Sequence, residues 1–226
     1  MSKHASPAIL TLFEHADFSV INKPAGVEMH DSEQGIISLM RQQYPAHDWY
    51  LVHRLDTGTS GCLLLAKHKQ AASDLGKLFE HRQIEKYYLA ISDKRPKKKQ
   101  GLVKGDMQKA RRGDLKLTKT QDNPAITQYF STSIAPSLRL FICKPHTGKT
   151  HQIRVALKSQ GAPILGDCRY GGTPDACMHL YSYALCFEYH TERFEVTYLP
   201  DTQTLFDPNS IDQSWLVPWQ IPWPKI

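Results

Sequence analysis

The chain is expected to fold as a single mixed α+β domain over residues 1–226, on three observations. Its 226 residues are 41% hydrophobic, enough at this length for one core that buries roughly 70% of the unfolded surface. Strand-like and helix-like segments are interspersed rather than strictly alternating, which favours a mixed sheet with flanking helices and loops over a doubly wound one. Neither an internal repeat nor a clean linker interrupts the pattern.

The elements follow in order. Short apolar runs at 9–13 and 18–21 predict a strand pair closed by the turn Lys23-Pro24-Ala25-Gly26. Ile36, Ile37, Leu39, Met40 and Tyr44 recur at helical spacing, so a helix is expected over 35–44, stopped by Pro45. The unbroken apolar run 62–66 suits a buried strand, and Ala71, Leu75, Leu78 and Phe79 form a helical stripe over 69–81. A strand is expected over 85–91. Beyond it, 94–119 has few apolar anchors and several glycines, and reads as a long hairpin or a mobile arm. Runs 128–134 and 138–143 flank Ala135-Pro136-Ser137, a hairpin signal. Thr150 is the expected N-cap of a helix over 151–159, with Gly161 as its stop. Strands are expected at 180–189 and 194–198. The tail 214–226 carries Trp215, Trp219, Trp223 and three prolines, and is expected to lie extended against the body.

Charge is concentrated in one place. The 28 basic and 22 acidic side chains leave a net +6, yet eleven basic residues against two acidic fall within 94–119, a local +9 that leaves −3 for the remainder. Such a single-signed segment suits a partner that presents repeated phosphates, because each neutralised phosphate releases condensed counterions. An exposed solubilising loop would carry the same charges. No apolar stretch approaches the roughly 18 residues of a membrane span, and the first ten residues lack the apolar core of a leader, so a cytoplasmic location without membrane contact is expected. The cysteines at 62, 143, 168, 177 and 186 form no CxxC pair and read as reduced, mostly buried thiols. The eleven histidines never adopt HExxH or a comparable spacing, so no metal is expected.

Two motif-like stretches fail on inspection. Thr147-Gly148-Lys149-Thr150 has the end of a phosphate-binding loop, but Cys143 stands where the backbone cradle needs glycine. His53-Arg54-Leu55-Asp56 lacks the order and the downstream asparagine of a kinase catalytic loop. Nucleotide hydrolysis and kinase activity are therefore not expected. The same region does hold a glycine- and hydroxyl-rich loop over 53–61 directly before the apolar run 62–66. That arrangement places one carboxylate, Asp56, at the end of a rigid strand; taken on its own, Asp56 reads as a turn former before it reads as a catalyst.

The stretch HRLDTGTSGCLLLAK over 53–67 closely resembles the signature of the RluA family of RNA pseudouridine synthases, in which the aspartate is catalytic. Further motifs agree in order: VINKPAG at 20–26, KYYLA at 86–90, GKTHQIR at 148–154 and GAPILGD at 161–167. The resemblance spans about 12–187. Departures are Lys149 where the family usually has arginine, and Ala156 where a histidine is often found. Many relatives carry a further N-terminal RNA-binding domain of the S4 type; this chain starts almost at the catalytic part, so RNA grip is expected from that part and from the basic segment 94–119.

The resemblance implies a pseudouridine synthase catalytic domain and an isomerase, an intramolecular transferase that converts uridine to pseudouridine in structured ribosomal or transfer RNA. Breaking N1–C1′, rejoining through C5 and releasing the C5 proton is redox-neutral and carries no group away, so no cofactor is expected. It also implies Asp56, Tyr88 and Arg154 as catalytic residues. Asp56 adds to the sugar, adds to the base or takes a sugar proton; these alternatives stay open. Tyr88 is expected to stack on the uracil near C5. Arg154 is the expected cation that keeps a desolvated Asp56 ionised. The target uridine is expected to be flipped outward, with Arg54 filling its place or holding a phosphate. His53, His151, Lys23 and Lys149 are expected at the RNA. So are Lys97, Lys98 and Lys99, on charge alone. A monomer without a required protein partner is expected. The rival readings are an inactive RNA-binding or RNA-chaperone protein on the same fold, and a metal-dependent nuclease.

Overall fold

The computed structural model describes residues 8–30, 32–199, 205 and 211–226; residues 1–7, on which the expectation about a leader falls, lie outside them. In chain order the strands are β1 (Leu10–Glu14), β2 (Phe18–Lys23), β3 (Tyr50–Leu51), β4 (Ser60–Ala66), β5 (Glu85–Ser92), β6 (Gln100–Gly105), β7 (Met107–Lys109), β8 (Leu115–Leu117), β9 (Ala125–Ala135), β10 (Leu138–Pro145), β11 (Leu180–Tyr189) and β12 (Glu192–Thr197). The α-helices among the described residues are α1 (Ile36–Gln43), α2 (Lys69–Glu80) and α3 (Gln152–Ser159). This is an α+β fold with a mixed set of elements, as the interspersed pattern implied. The chain divides into two compact units, Met1–Ile84 with Leu185–Tyr198, and Glu85–Ala184 with Leu199–Ile226.

In the first unit the strand order is β1-β2-β4-β11, with β3 added on β4 and β12 on β11. The apolar run predicted at 62–66 is buried throughout β4. Its Cys62, Leu64 and Ala66 share a core with Phe18, Val20, Leu185, Phe187 and Phe194, onto which α2 sets Ala71 and Leu75. Phe18 meets Phe187, Tyr189 and Phe194 edge-on, an arrangement favoured by the ring quadrupoles. His68 caps α2, its Nδ1 accepting the Ala71 amide at 3.2 Å.

In the second unit the order is β11-β5-β10-β9-β6. Antiparallel register sets Leu89 against Ile142 and Ile91 against Leu140, all buried. The hairpin expected around Ala135-Pro136-Ser137 is β9–β10, with Ser137 at φ 61°. The basic segment is neither a mobile arm nor one long hairpin. Its first part, β6, is laddered along β9, with Val103 buried, and its second part is the separate hairpin β7–β8. The strand partner of β6 lies downstream and outside the segment, so local composition gave no sign of it.

Three smaller expectations change. Thr150 is not the N-cap of α3: His151 is, in the left-handed region at φ 57° and without a side-chain cap. The turn before α3 is instead held by Gln152, whose Oε1 accepts the Lys149 amide at 3.1 Å and the Thr147 hydroxyl at 2.6 Å. Cys62, Cys143 and Cys186 are buried, but Cys168 and Cys177 are exposed in loops. The tail is not purely extended; it forms two single 3-10 turns, Gln213–Leu216 and Pro218–Gln220. It then packs Trp223 on Tyr87 and Phe130.

Candidate active site

The site residues of the first unit are set by the pairing of β2 with β4, whose register places Lys23 opposite Gly61. The chain turns at both places. Gly26, at φ 85°, donates its amide to the Thr57 carbonyl at 2.8 Å, and the Asp56 carbonyl accepts the Thr59 amide at 2.9 Å. The Lys23-Pro24-Ala25-Gly26 turn and the loop carrying Asp56, distant in sequence, are therefore clasped together.

Lys23 does the clasping. It is fully buried, and its Nζ donates to the carbonyls of Pro24 at 3.0 Å, Thr57 at 3.2 Å and Thr59 at 2.9 Å. An ammonium has three donors, so the expectation of a phosphate contact at Lys23 is corrected: its charge is turned inward onto the backbone that flanks Asp56. Burial pushes Lys23 from 10.5 down to about 8, against the opposing pull of the Asp56 carboxylate.

Asp56 is half-buried, between buried Leu55 and exposed Thr57, and Arg54 is exposed. His53, expected at the RNA, packs on its own unit. Its Nε2 accepts the Leu64 amide at 2.9 Å, and its ring stacks on Phe79 at 4.4 Å and 16°.

In the second unit, Tyr88 lies on β5 opposite Cys143 and is buried, while Tyr87 takes the other face of the strand beneath Trp219 and Trp223. Arg154 sits on α3 and is 8% exposed. Its Nε and Nη2 donate to Asp167 at 2.8 and 2.7 Å, a bidentate pair with a carboxylate 2% exposed. Every residue of α3 from Gln152 to Leu157 is buried, and Lys158 is exposed. The Arg154 guanidinium lies over the Tyr170 ring at 4.9 Å, and His151 Nδ1 meets the Tyr170 hydroxyl at 2.8 Å. Asp167 and Tyr170 were not foreseen as site residues, although Asp167 closes the GAPILGD motif.

The lysines expected at phosphates fall into different settings. Lys149 Nζ donates to Asn123 at 2.8 Å. Lys97 donates from Nζ to the Ser159 carbonyl at 3.0 Å and from its amide to Gln160 at 2.8 Å, closing the C-terminal end of α3. Lys98 and Lys99 have exposed side chains, with their carbonyls bound by Tyr129 and Ser131 of β9. Among the described residues no group of three His, Cys, Asp or Glu is placed to hold a metal, and no helix is long and apolar enough to cross a membrane.

Residues 17–159 match the family model described as RNA pseudouridylate synthase. An uncharacterized RNA pseudouridine synthase of Haemophilus influenzae is 49% identical over 196 residues, covering 85% of this chain and 88% of that protein. A ribosomal large subunit pseudouridine synthase C of Rickettsia bellii is 36% identical over 170 residues, covering 71% of this chain and 56% of its own. The chain thus spans most of the first relative and little more than half of the second. Human RNA pseudouridylate synthase domain containing 1 shares the fold over 100% of both chains, with a TM-score of 0.80 at 24% identity.

Proposed function

We propose that this chain, which belongs to the RNA pseudouridine synthase family and is an RNA pseudouridine synthase, an isomerase, acts on one uridine of a structured ribosomal or transfer RNA with Asp56 as its catalytic carboxylate. The observation that carries the assignment to Asp56 is the clasp beneath it. A buried ammonium bound to the Pro24 carbonyl of its own turn and to the Thr57 and Thr59 carbonyls of the Asp56 loop is a costly feature, and it holds the one loop in which the family motif places its aspartate.

The reaction supplies the remaining roles. Detaching uracil from C1′ needs an anionic group at the ribose, and rejoining through C5 needs the C5 proton taken away and N1 left protonated. Asp56 provides the anion. Tyr88, a buried aromatic with a hydroxyl at its tip, stacks on the base and aids proton removal. Arg154, oriented by Asp167, serves the charged step. The uridine is extruded from its stack to be reached, and exposed Arg54 occupies the vacated place or a phosphate. Lys149, Lys98 and Lys99 contact the RNA backbone. No oxidation occurs and no group leaves, so no cofactor enters the scheme. The chain works in the cytoplasm as a monomer.

The test is tritium release from ribosomal and transfer RNA transcripts labelled at uridine C5, followed by mapping of the pseudouridine. Release at one uridine, insensitive to chelator, is expected. No release from either RNA would overturn the reading, and chelator-sensitive strand cleavage would replace it with a nuclease.

A further inference from the structure

The second unit contains a link between the basic hairpin β7–β8 and Arg154. The turn Cys168–Tyr170 is anchored on Asp167, whose carbonyl accepts the amides of Tyr170 at 3.1 Å and Gly172 at 2.9 Å. On one side this turn presents the Asp167 carboxylate that grips Arg154 from two nitrogens. On the other it holds the hairpin. Arg169 donates to Asp114 Oδ1 at 2.9 Å and to the Gly113 carbonyl at 2.8 Å, and the Tyr170 hydroxyl accepts the Leu115 amide at 3.2 Å. The same hydroxyl meets His151, the left-handed residue that starts α3, while the Tyr170 ring lies against Arg154 and Lys158. Tyr170 is 1% exposed, so the connection runs through packed side chains.

We propose that the hairpin β7–β8 is a positioning device for Arg154, with Tyr170 and Arg169 as the links, so that RNA held by the hairpin sets the guanidinium. Lys109, Arg111 and Lys116 are exposed on the hairpin and available to phosphates. The hairpin ladder is only three residues on each strand, too short to be rigid in isolation. Its orientation is therefore set by what it touches: the Asp106–Thr120 pairing at its base, α3, the Asp167–Gly172 turn, and RNA on its exposed side. Polynucleotide bound to the hairpin restricts the turn, and the turn carries the carboxylate that orients Arg154. The proposal rests on the catalytic reading of Arg154 given above.

The test uses the full chain and a large-subunit ribosomal RNA transcript labelled at uridine C5. Tyr170→Phe keeps the ring under Arg154 and removes the hydroxyl between hairpin and α3. It is expected to lower kcat about tenfold, a typical coupling factor, with KM changed less than about twofold. Arg169→Ala, an exposed substitution, is expected to do the same to a smaller degree. The hairpin variant Lys109→Ala/Arg111→Ala/Lys116→Ala is expected to raise KM and lower kcat; added to Tyr170→Phe it raises KM only, because the route to Arg154 is already cut. Losses in kcat that multiply independently, or an unchanged kcat in Tyr170→Phe, would overturn the proposal. A second arm does not need turnover. RNA is expected to slow amide exchange over 167–172 in the wild type but not in Tyr170→Phe, while the hairpin amides stay protected in both. Equal protection of that turn in both proteins would overturn the coupling, whereas an inactive wild type that shows the expected exchange difference would overturn the proposed reaction only.

Discussion

Each unit holds a cation buried beside a motif of the family, and the two are held in opposite ways. In the first unit Lys23 binds three neutral carbonyls around the loop of Asp56. In the second Arg154 binds one buried carboxylate, Asp167, from two nitrogens. Neutral acceptors compensate a buried charge incompletely, which is why Lys23 is pushed down to about 8. A guanidinium facing a carboxylate in fork geometry stays charged at any working pH. The first clasp is a titratable one, and the second is a fixed one.

The largest effect is expected from breaking the fixed clasp. Asp167→Ala leaves the Arg154 guanidinium buried without its carboxylate, which is expected to cost about 3–5 kcal/mol of stability. Urea unfolding of the variant measures it, and a loss under about 1 kcal/mol would show that water replaces the carboxylate.

The titratable clasp gives a smaller change and a pH signature. Lys23→Met orphans three carbonyls while relieving a desolvated charge, a net loss of about 1–3 kcal/mol. In the wild type the sign differs between stability and turnover. Lys23 loses its proton near pH 8 when folded and near 10.5 when unfolded, so between those values the unfolded chain holds the extra proton and this group makes stability rise with pH. Turnover is expected to fall through the same pH 8, because a neutral amine has two donors for three carbonyls. A kcat profile flat from pH 7 to 9.5 would refute the clasp as a requirement for catalysis.

The smallest effects separate neighbouring lysines. Lys98→Ala/Lys99→Ala is expected to weaken RNA affinity and flatten its salt slope by about one unit per lost phosphate contact. Lys97→Ala, which removes a donor from the end of α3, is expected to cost about 0.3–1 kcal/mol of stability. A salt slope that responds to Lys97 rather than to Lys98 and Lys99 would reverse this division.

The comparison also marks what the sequence could convey. Strands with strong apolar runs, such as 62–66 and 85–91, were legible because burial on both faces imposes their composition. The helices over 35–44 and 69–81 were legible from spacing, to within a residue or so at each end. Asp56 was singled out by its motif alone. The holders of the two cations were not. Lys23 stands beside Pro24 and Gly26, which read as an exposed turn, and only the register of β2 on β4 reveals that its side chain is enclosed. Asp167 was marked only as the last residue of GAPILGD, which does not by itself tell a buried partner from a surface acid. The ladder of β6 on β9 was hidden for the same reason: non-local pairing leaves little trace in a polar, basic strand.

The most direct measurement is C5 tritium release by Asp56→Asn, which keeps the size of the side chain and removes its charge. The account predicts no release above background from a protein that still folds and binds RNA as the wild type does. Release at the wild-type rate would contradict it.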